Sequence, residues 1–204
     1  MFSPLTQNIA DLLAVPCIFM DQGCTIKLKK NKIVNHEKGE CKYRELMCPG
    51  CKEKIQARTI PDHFRNCTEL KFVIEDLKFD EKWTVRNFNH SIESCMRIAY
   101  KLESSENWFL LCTDRLEDKL VICMKHYSAE NRKEAFSYNL KVSNTGNTFS
   151  MSRSGVCTPF DMEVNDARME GYTLDLSEKA MTKMCSCSDI NKLKWKVELI
   201  FFQS

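Results

Sequence analysis

The chain has 204 residues, 43% hydrophobic and 28% charged, with a formal net charge of +2. That balance excludes a disordered polyelectrolyte and gives no electrostatic argument for nucleic acid or a membrane surface as partner. Twelve cysteines, with no basic-then-apolar leader ahead of them, favour thiolate–metal chemistry in a reducing compartment, cytoplasmic or nuclear, over a secreted disulfide scaffold.

In chain order, the first expected element is a short amphipathic helix over residues 4–15, with Leu5, Ile9, Leu12 and Leu13 on one stripe and Pro16 ending it. This element is expected within residues 1–16. No apolar run anywhere approaches the length of a membrane span. The densest chemistry follows. Cys17, Cys24, His36 and Cys41 read C-x6-C-x11-H-x4-C, and Cys48, Cys51, His63 and Cys67 read C-x2-C-x11-H-x3-C. Each half supplies three thiolates and one imidazole, a closed four-coordinate shell of the kind that holds structural zinc. The gap between second cysteine and histidine is the same in both halves. A disulfide framework is the competing reading, but it has no use for histidines at fixed positions. Two structural zinc ions per chain are therefore expected in residues 17–67.

Local sequence supplies the geometry for those ligands. Gly23 before Cys24, and Pro49-Gly50 between Cys48 and Cys51, put each cysteine pair on a tight turn. Residues 25–28 and 52–55 then read as short strands. Pro61 suits the first turn of a helix, on which His63 and Cys67, four apart, share a face. His36 and Cys41 are five apart, so the last turn there has to loosen. A basic cluster (Lys27, Lys29, Lys30, Lys32, Lys38, Lys42, Arg44) lies inside the first finger. Glu37, Glu40 and Glu45 dilute it, and Tyr43 is its one aromatic residue, so it reads as a solvated face in preference to a nucleic-acid site.

From residue 68 the hydrophobic period becomes two. Met96, Ile98, Tyr100 and Leu102 alternate with polar or small residues, as do Phe136, Tyr138, Leu140 and Val142, and again Leu193, Trp195, Val197, Leu199 and Phe201. Each reads as a half-buried strand. Shorter runs at 70–77, 83–88, 108–112 and 120–124 add further strands, the first of which fits a helix equally well. Residues 144–147 form a hairpin turn, a return strand follows from Phe149 and Met151, and Tyr172, Leu174 and Leu176 make another. About eight strands argue for a two-sheet antiparallel sandwich, with residues 177–184 as the one helix inside it. Cys185 and Cys187 read as a loop thiol pair, and Cys112 and Cys123 as small core residues. His90 and His126 have no neighbouring group that marks a nucleophile–base pair, and nothing fixes a Cys112/His126 dyad. The last strand ends apolar on both faces, so Ile200 and Phe202 need a cover, from the finger module or from a second chain.

These parts, in this order, resemble the seven-in-absentia (SIAH) family of RING-type ubiquitin ligases. The resemblance runs through Pro16-Cys17 to Gly23-Cys24, the His36/Cys41 pair, and Cys41-Lys42-Tyr43-Arg44-Glu45-Leu46-Met47-Cys48-Pro49, where the family has C-x-x-R-x-x-x-C-P. Glu134-Ala135-Phe136-Ser137-Tyr138-Asn139-Leu140 is similar to a family E-x-F-x-Y-x-L strand, and Leu5 to Val15 to the helical linker after the RING. The resemblance implies two SIAH-type zinc fingers (residues 17–67) followed by a TRAF-like β-sandwich (residues 68–204) that binds client peptides and supports homo- or heterodimers. A RING needs eight further Cys/His ligands, and the sixteen residues before Cys17 hold none. The expectation is a non-catalytic part of a ubiquitin ligase, working with a RING-bearing paralogue and reaching an E2 only through it. The family's groove carries a Trp in the strand that here spans residues 96–102, which has none. A TRAF-like adaptor without a ubiquitin role and a zinc-finger nucleic-acid binder stand as alternatives.

Overall fold

The computed structural model describes residues 13–70, 72–77, 83–91, 96–103, 105–128, 136–144, 146–184 and 192–203. Residues 4–12 of the expected linker helix, Cys185 and Cys187, and the side chain of His90 lie outside the described part. The chain separates into two compact units, with the boundary between Asn66 and Cys67.

The first unit is built from small pieces. Strand β1 (Ala14–Pro16) pairs antiparallel with β2 (Lys27–Lys29), Val15 facing Leu28. The end of the expected helix is thus a strand. Val15 packs on the buried group of Cys17, Cys24, Ile33 and Cys41, and that tertiary contact outweighs a local helical period whose last residues are β-branched or proline. Helix α1 (Lys30–Asn35) follows and runs into a single π turn, His36–Glu40. Strands β3 (Glu45–Met47) and β4 (Lys54–Gln56) make a second antiparallel pair. A 3₁₀ turn (Ala57–Thr59) then leads into α2 (Ile60–Asn66), which buries Ile60 and Phe64. The strands expected at 25–28 and 52–55 form one to two residues later in the chain, because the first residues after each cysteine pair complete the turn.

The second unit is largely β. Its strands are β5 (Phe72–Leu77), β6 (Trp83–Ser91), β7 (Met96–Leu102), β8 (Asn107–Leu116), β9 (Lys119–Ser128), β10 (Phe136–Asn144), β11 (Ser150–Val156), β12 (Thr158–Pro159), β13 (Leu174–Ser177) and β14 (Lys192–Gln203). One sheet has the order β11-β10-β14-β6; the other runs β12-β9-β8-β7-β5, with β13 also paired to β9. A single core joins them. Ile98, Tyr100, Phe109, Leu111, Ile122 and Met124 of one sheet meet Phe136, Tyr138, Leu140, Val142, Val197, Leu199 and Phe201 of the other. Phe109 is at its centre, 4.1 Å from the Phe201 ring and edge-on to Phe136 at 5.2 Å. Helix α4 (Glu178–Met184) closes this core with Ala180, Met181 and Met184.

Three expectations need correction. Residues 72–77 take the strand reading of the two the sequence allowed, but β5 pairs parallel with β7, as the two-residue β12 does with β9, so the sheets are antiparallel only in the main. A further helix, α3 (Val164–Met169), was not foreseen. β7, expected to be half-buried, is instead buried on both faces over residues 97–100, as β8 and β9 are over much of their length. Arg97, Ala99, Leu110, Cys112, Val121, Cys123 and Lys125 are as buried as their inward neighbours. α3 lies on β8 and β9, and Lys125 Nζ donates to the carbonyls of Phe160 and Met162, so this segment forms a second layer on the outer face. Ile200 and Phe202, on the outward face of β14, are half-buried.

Candidate metal centres

All eight expected ligands come together in two clusters, Cys17, Cys24, His36, Cys41 and Cys48, Cys51, His63, Cys67, with the ligand atoms of each cluster within 4.8 Å of one another. In the first, β1 delivers Cys17, whose N–H donates to the Ile26 carbonyl. A 3₁₀ turn (Met20–Gln22) then reverses the chain, and the N–H of Cys24 returns to the carbonyl of Phe19. Gly23 makes this turn possible. Its φ is +110°, and a Cβ there would sit 3.0 Å from the Tyr43 ring. The π turn supplies the other two ligands. The Cys41 N–H donates to the His36 carbonyl at 2.6 Å, a five-residue closure that brings His36 and Cys41 onto one face where an α-turn would not. The loosening required by the H-x4-C spacing takes this form.

The second cluster follows a more regular plan. Cys48 and Cys51 flank Pro49-Gly50; Lys52, at φ +62°, donates its N–H to the Cys48 carbonyl, and the Cys48 N–H donates to Glu53. Pro61 is the second residue of α2, which carries His63 in mid-helix, with Cys67 just past its end. Phe64 is 1% exposed and anchors the helix from below. The two fingers also contact each other. N–H groups of Ala57 and Arg58 donate to the carbonyls of Arg44 and Lys42, and Gln56 donates to Gln22. The Arg58 guanidinium lies over the Tyr43 ring at 4.7 Å. That contact occupies the one aromatic face in the basic cluster, whose lysines are exposed.

The spacing of donors tests what the clusters can hold. Cys17 Sγ and Cys41 Sγ are 3.7 Å apart, and His Nε2 lies 3.4 Å from sulfur in both clusters, Cys24 with His36 and Cys51 with His63. A disulfide needs about 2.05 Å, and no described cysteine is in one. A tetrahedron around zinc has edges of roughly 3.8 Å between sulfurs and roughly 3.5 Å between sulfur and nitrogen. The donors fit that shell. Burial, reinforced by neighbouring thiols, pushes Cys17 up to about 12 and Cys41 upward as well. Three thiols packed beside an imidazole become thiolates together only around a cation, so metal binding releases protons and supplies the missing charge.

Other residues singled out by the sequence do not assemble into a catalytic group. Cys112 faces the outer layer, while His126 stands on the opposite face of the same sheet. There His126 is against Phe136 at 4.5 Å and Phe109 at 5.2 Å, with Nε2 to the Asn107 amide oxygen at 3.0 Å. Sequence reasoning did miss one arrangement: Cys112 and Cys123 are direct cross-strand partners, with Arg97 opposite Cys112 on the next strand. A two-residue turn at Glu117-Asp118 was the available signal, since counting outward from it pairs the two cysteines. Compared with models of known protein families and with curated proteins, the chain matches none.

Proposed function

We propose that this chain is the zinc-organised, non-catalytic recognition part of a SIAH-type ubiquitin ligase system, with two structural fingers leading into a TRAF-like β unit that binds client peptides. In this reading it dimerises, works with a RING-bearing paralogue in the cytoplasm or nucleus, and reaches an E2 only through that partner. The observation that carries the reading is the pair of closed Cys3His clusters. Four protein donors at tetrahedral spacing leave no position for a metal-bound water, which supports a metal that folds the chain and performs no chemistry. The β unit contributes sheet edges, β11 and β6 on one sheet and β12 and β5 on the other. Unpaired edge N–H and C=O groups can take an extended peptide as an added strand.

The test is reconstitution. The full chain with E1, E2, ubiquitin and ATP is expected to build no ubiquitin chains by itself and to co-sediment with a purified RING-bearing SIAH-type ligase. Discharge of a charged E2 by the chain alone overturns the reading. Peptide binding without any association with such a ligase favours the adaptor alternative, and steeply salt-dependent binding to DNA or RNA favours the nucleic-acid one.

A further inference from the structure

The outer layer of the larger sheet holds a cluster of charged and sulfur-bearing groups that the zinc reading does not use. Cys112 on β8 and Cys123 on β9 are directly opposite each other. In antiparallel strands such partners have Cα atoms about 4.5–5.5 Å apart, inside the window of about 4.4–6.8 Å that a disulfide spans. Both residues are fully buried and neither is in a disulfide. They are not simply small core residues. Arg97, opposite Cys112 on β7, donates to the Thr113 carbonyl and to Asp114 Oδ1. Lys125, two residues along β9 from Cys123 and 4% exposed, donates to the carbonyls of Phe160 and Met162.

Arg97 and Lys125 are two buried cations, and Asp114 is paired with Arg97. Among the described residues Lys125 donates to neutral carbonyls, and a buried ammonium far from a counter-charge is costly. Cys112 is placed to supply one. Burial opposes ionisation of Cys112, but the neighbouring Cys123 and the fields of Arg97 and Lys125 outweigh it and draw the thiol below its usual value, while Cys123 is pushed up by Cys112 and by burial. Two sulfurs directly opposite each other, with Arg97 and Lys125 on the flanking positions drawing one of them toward ionisation, are the arrangement of an attacking and a resolving cysteine.

We propose that Cys112 and Cys123 are a reversible oxidation site, closing to a cross-strand disulfide when a peroxide reaches them. Cys112 sulfur attacks the O–O bond of hydrogen peroxide; an S–O bond forms, the O–O bond breaks, and the leaving hydroxide becomes water with the proton that the Cys112 thiol gives up. The Cys123 sulfur then attacks the sulfenic sulfur of Cys112. The S–S bond forms, the S–O bond breaks, and the departing hydroxide takes the Cys123 proton as a second water. Two electrons pass from the thiol pair to the peroxide, and a thiol reductant reverses the bond. Because the layer of residues 158–169 lies on this face, the oxidant enters only when that segment lifts, so the rate of closure reports its opening.

Peptide mapping of the full chain tests this. The protein, purified without chelator, is treated with hydrogen peroxide while folded, quenched, alkylated under denaturing conditions and digested. The expected product is a linked peptide pair joining Cys112 to Cys123, lost after thiol reductant. It is absent from Cys112→Ala and from Cys123→Ala, each first checked for an unchanged far-ultraviolet spectrum. The wild-type measurement decides the matter even if a variant fails to fold. Recovery of both cysteines as free thiols overturns the proposal. So does irreversible oxidation of Cys112 without a link, or linkage of either residue to the finger cysteines instead.

Discussion

Replacing one ligand at a time distinguishes a metal that folds the chain from one that merely decorates it. Structural zinc sites of this kind carry apparent binding energies of about 10–16 kcal/mol, more than a finger's small core can supply. On the proposal that both clusters hold zinc, Cys51→Ser or His63→Ala is expected to lower bound zinc from two per chain to one and to unfold the second finger, read by elemental analysis and by amide exchange of residues 48–66. At Gly23, alanine must adopt φ near +110° and crowd the Tyr43 ring at 3.0 Å. We expect Gly23→Ala to cost about 1–3 kcal/mol and to weaken metal retention by the first finger alone.

His126 sets a pH limit. Burial against Phe109 and Phe136 lowers it from 6.5 to about 4. The unfolded chain thus binds the proton more readily between those values, and stability falls as the pH drops from about 6.5 toward 4, on the order of 2 kcal/mol in total. His126→Gln should flatten that part of the pH–stability curve, measured by urea unfolding of the β unit. The two Cys3His clusters were legible in the sequence because donor type and spacing mark a candidate metal site almost unaided. The burial of His126 was not, since an isolated histidine in a strand looks the same on either face.

Among elements, the π turn is the clearest case of spacing dictating backbone. Five residues from His36 to Cys41 leave an α-turn out of phase, and the 2.6 Å closure from the Cys41 N–H to the His36 carbonyl absorbs the extra residue. The β10–β11 hairpin rests on one side chain in a similar way. Asn144 Nδ2 donates to Thr148 Oγ1 at 2.8 Å, and its Oδ1 accepts from the N–H groups of Thr148 and Phe149 at 2.9 and 3.3 Å. Asn144 is 7% exposed, so Asn144→Ala leaves those N–H groups poorly served. A loss of about 1–3 kcal/mol is expected, seen as a lower urea midpoint for the β unit with unchanged zinc content. Turn chemistry and period-two alternation were readable here. Helix α3 was not, because residues 164–169 make less than two turns and no hydrophobic period can declare itself over so short a span.

For the whole molecule, the two compact units rest on different physics. The first is organised around clusters of metal-ligating side chains, whereas the second has one continuous apolar core between its sheets. A strong zinc chelator is expected to abolish the cooperative structure of residues 13–66 while the β unit keeps its own thermal transition, visible as loss of the zinc-dependent step with retention of near-ultraviolet signals from Trp108 and the buried tyrosines. Loss of both transitions together would show that the β unit depends on the metals. Among the described residues no helix is long and apolar enough to cross a membrane.

By itself the sequence determined the two Cys3His clusters, the loosened turn between His36 and Cys41, most of the strands and the inward face of the alternating ones. These follow from local rules: donor type and spacing, the reach of a turn, and alternation of side chains across a strand. Tertiary structure alone decided which strands are neighbours and in which direction, so the parallel pairing of β5 with β7 and the meeting of Cys112 with Cys123 could not be read from either partner's own segment. It also decided what lies on a sheet's second face. Arg97 and Lys125 look like solvent-facing alternates along their strands, and only the segment folded back over β8 and β9 turns them into buried charges.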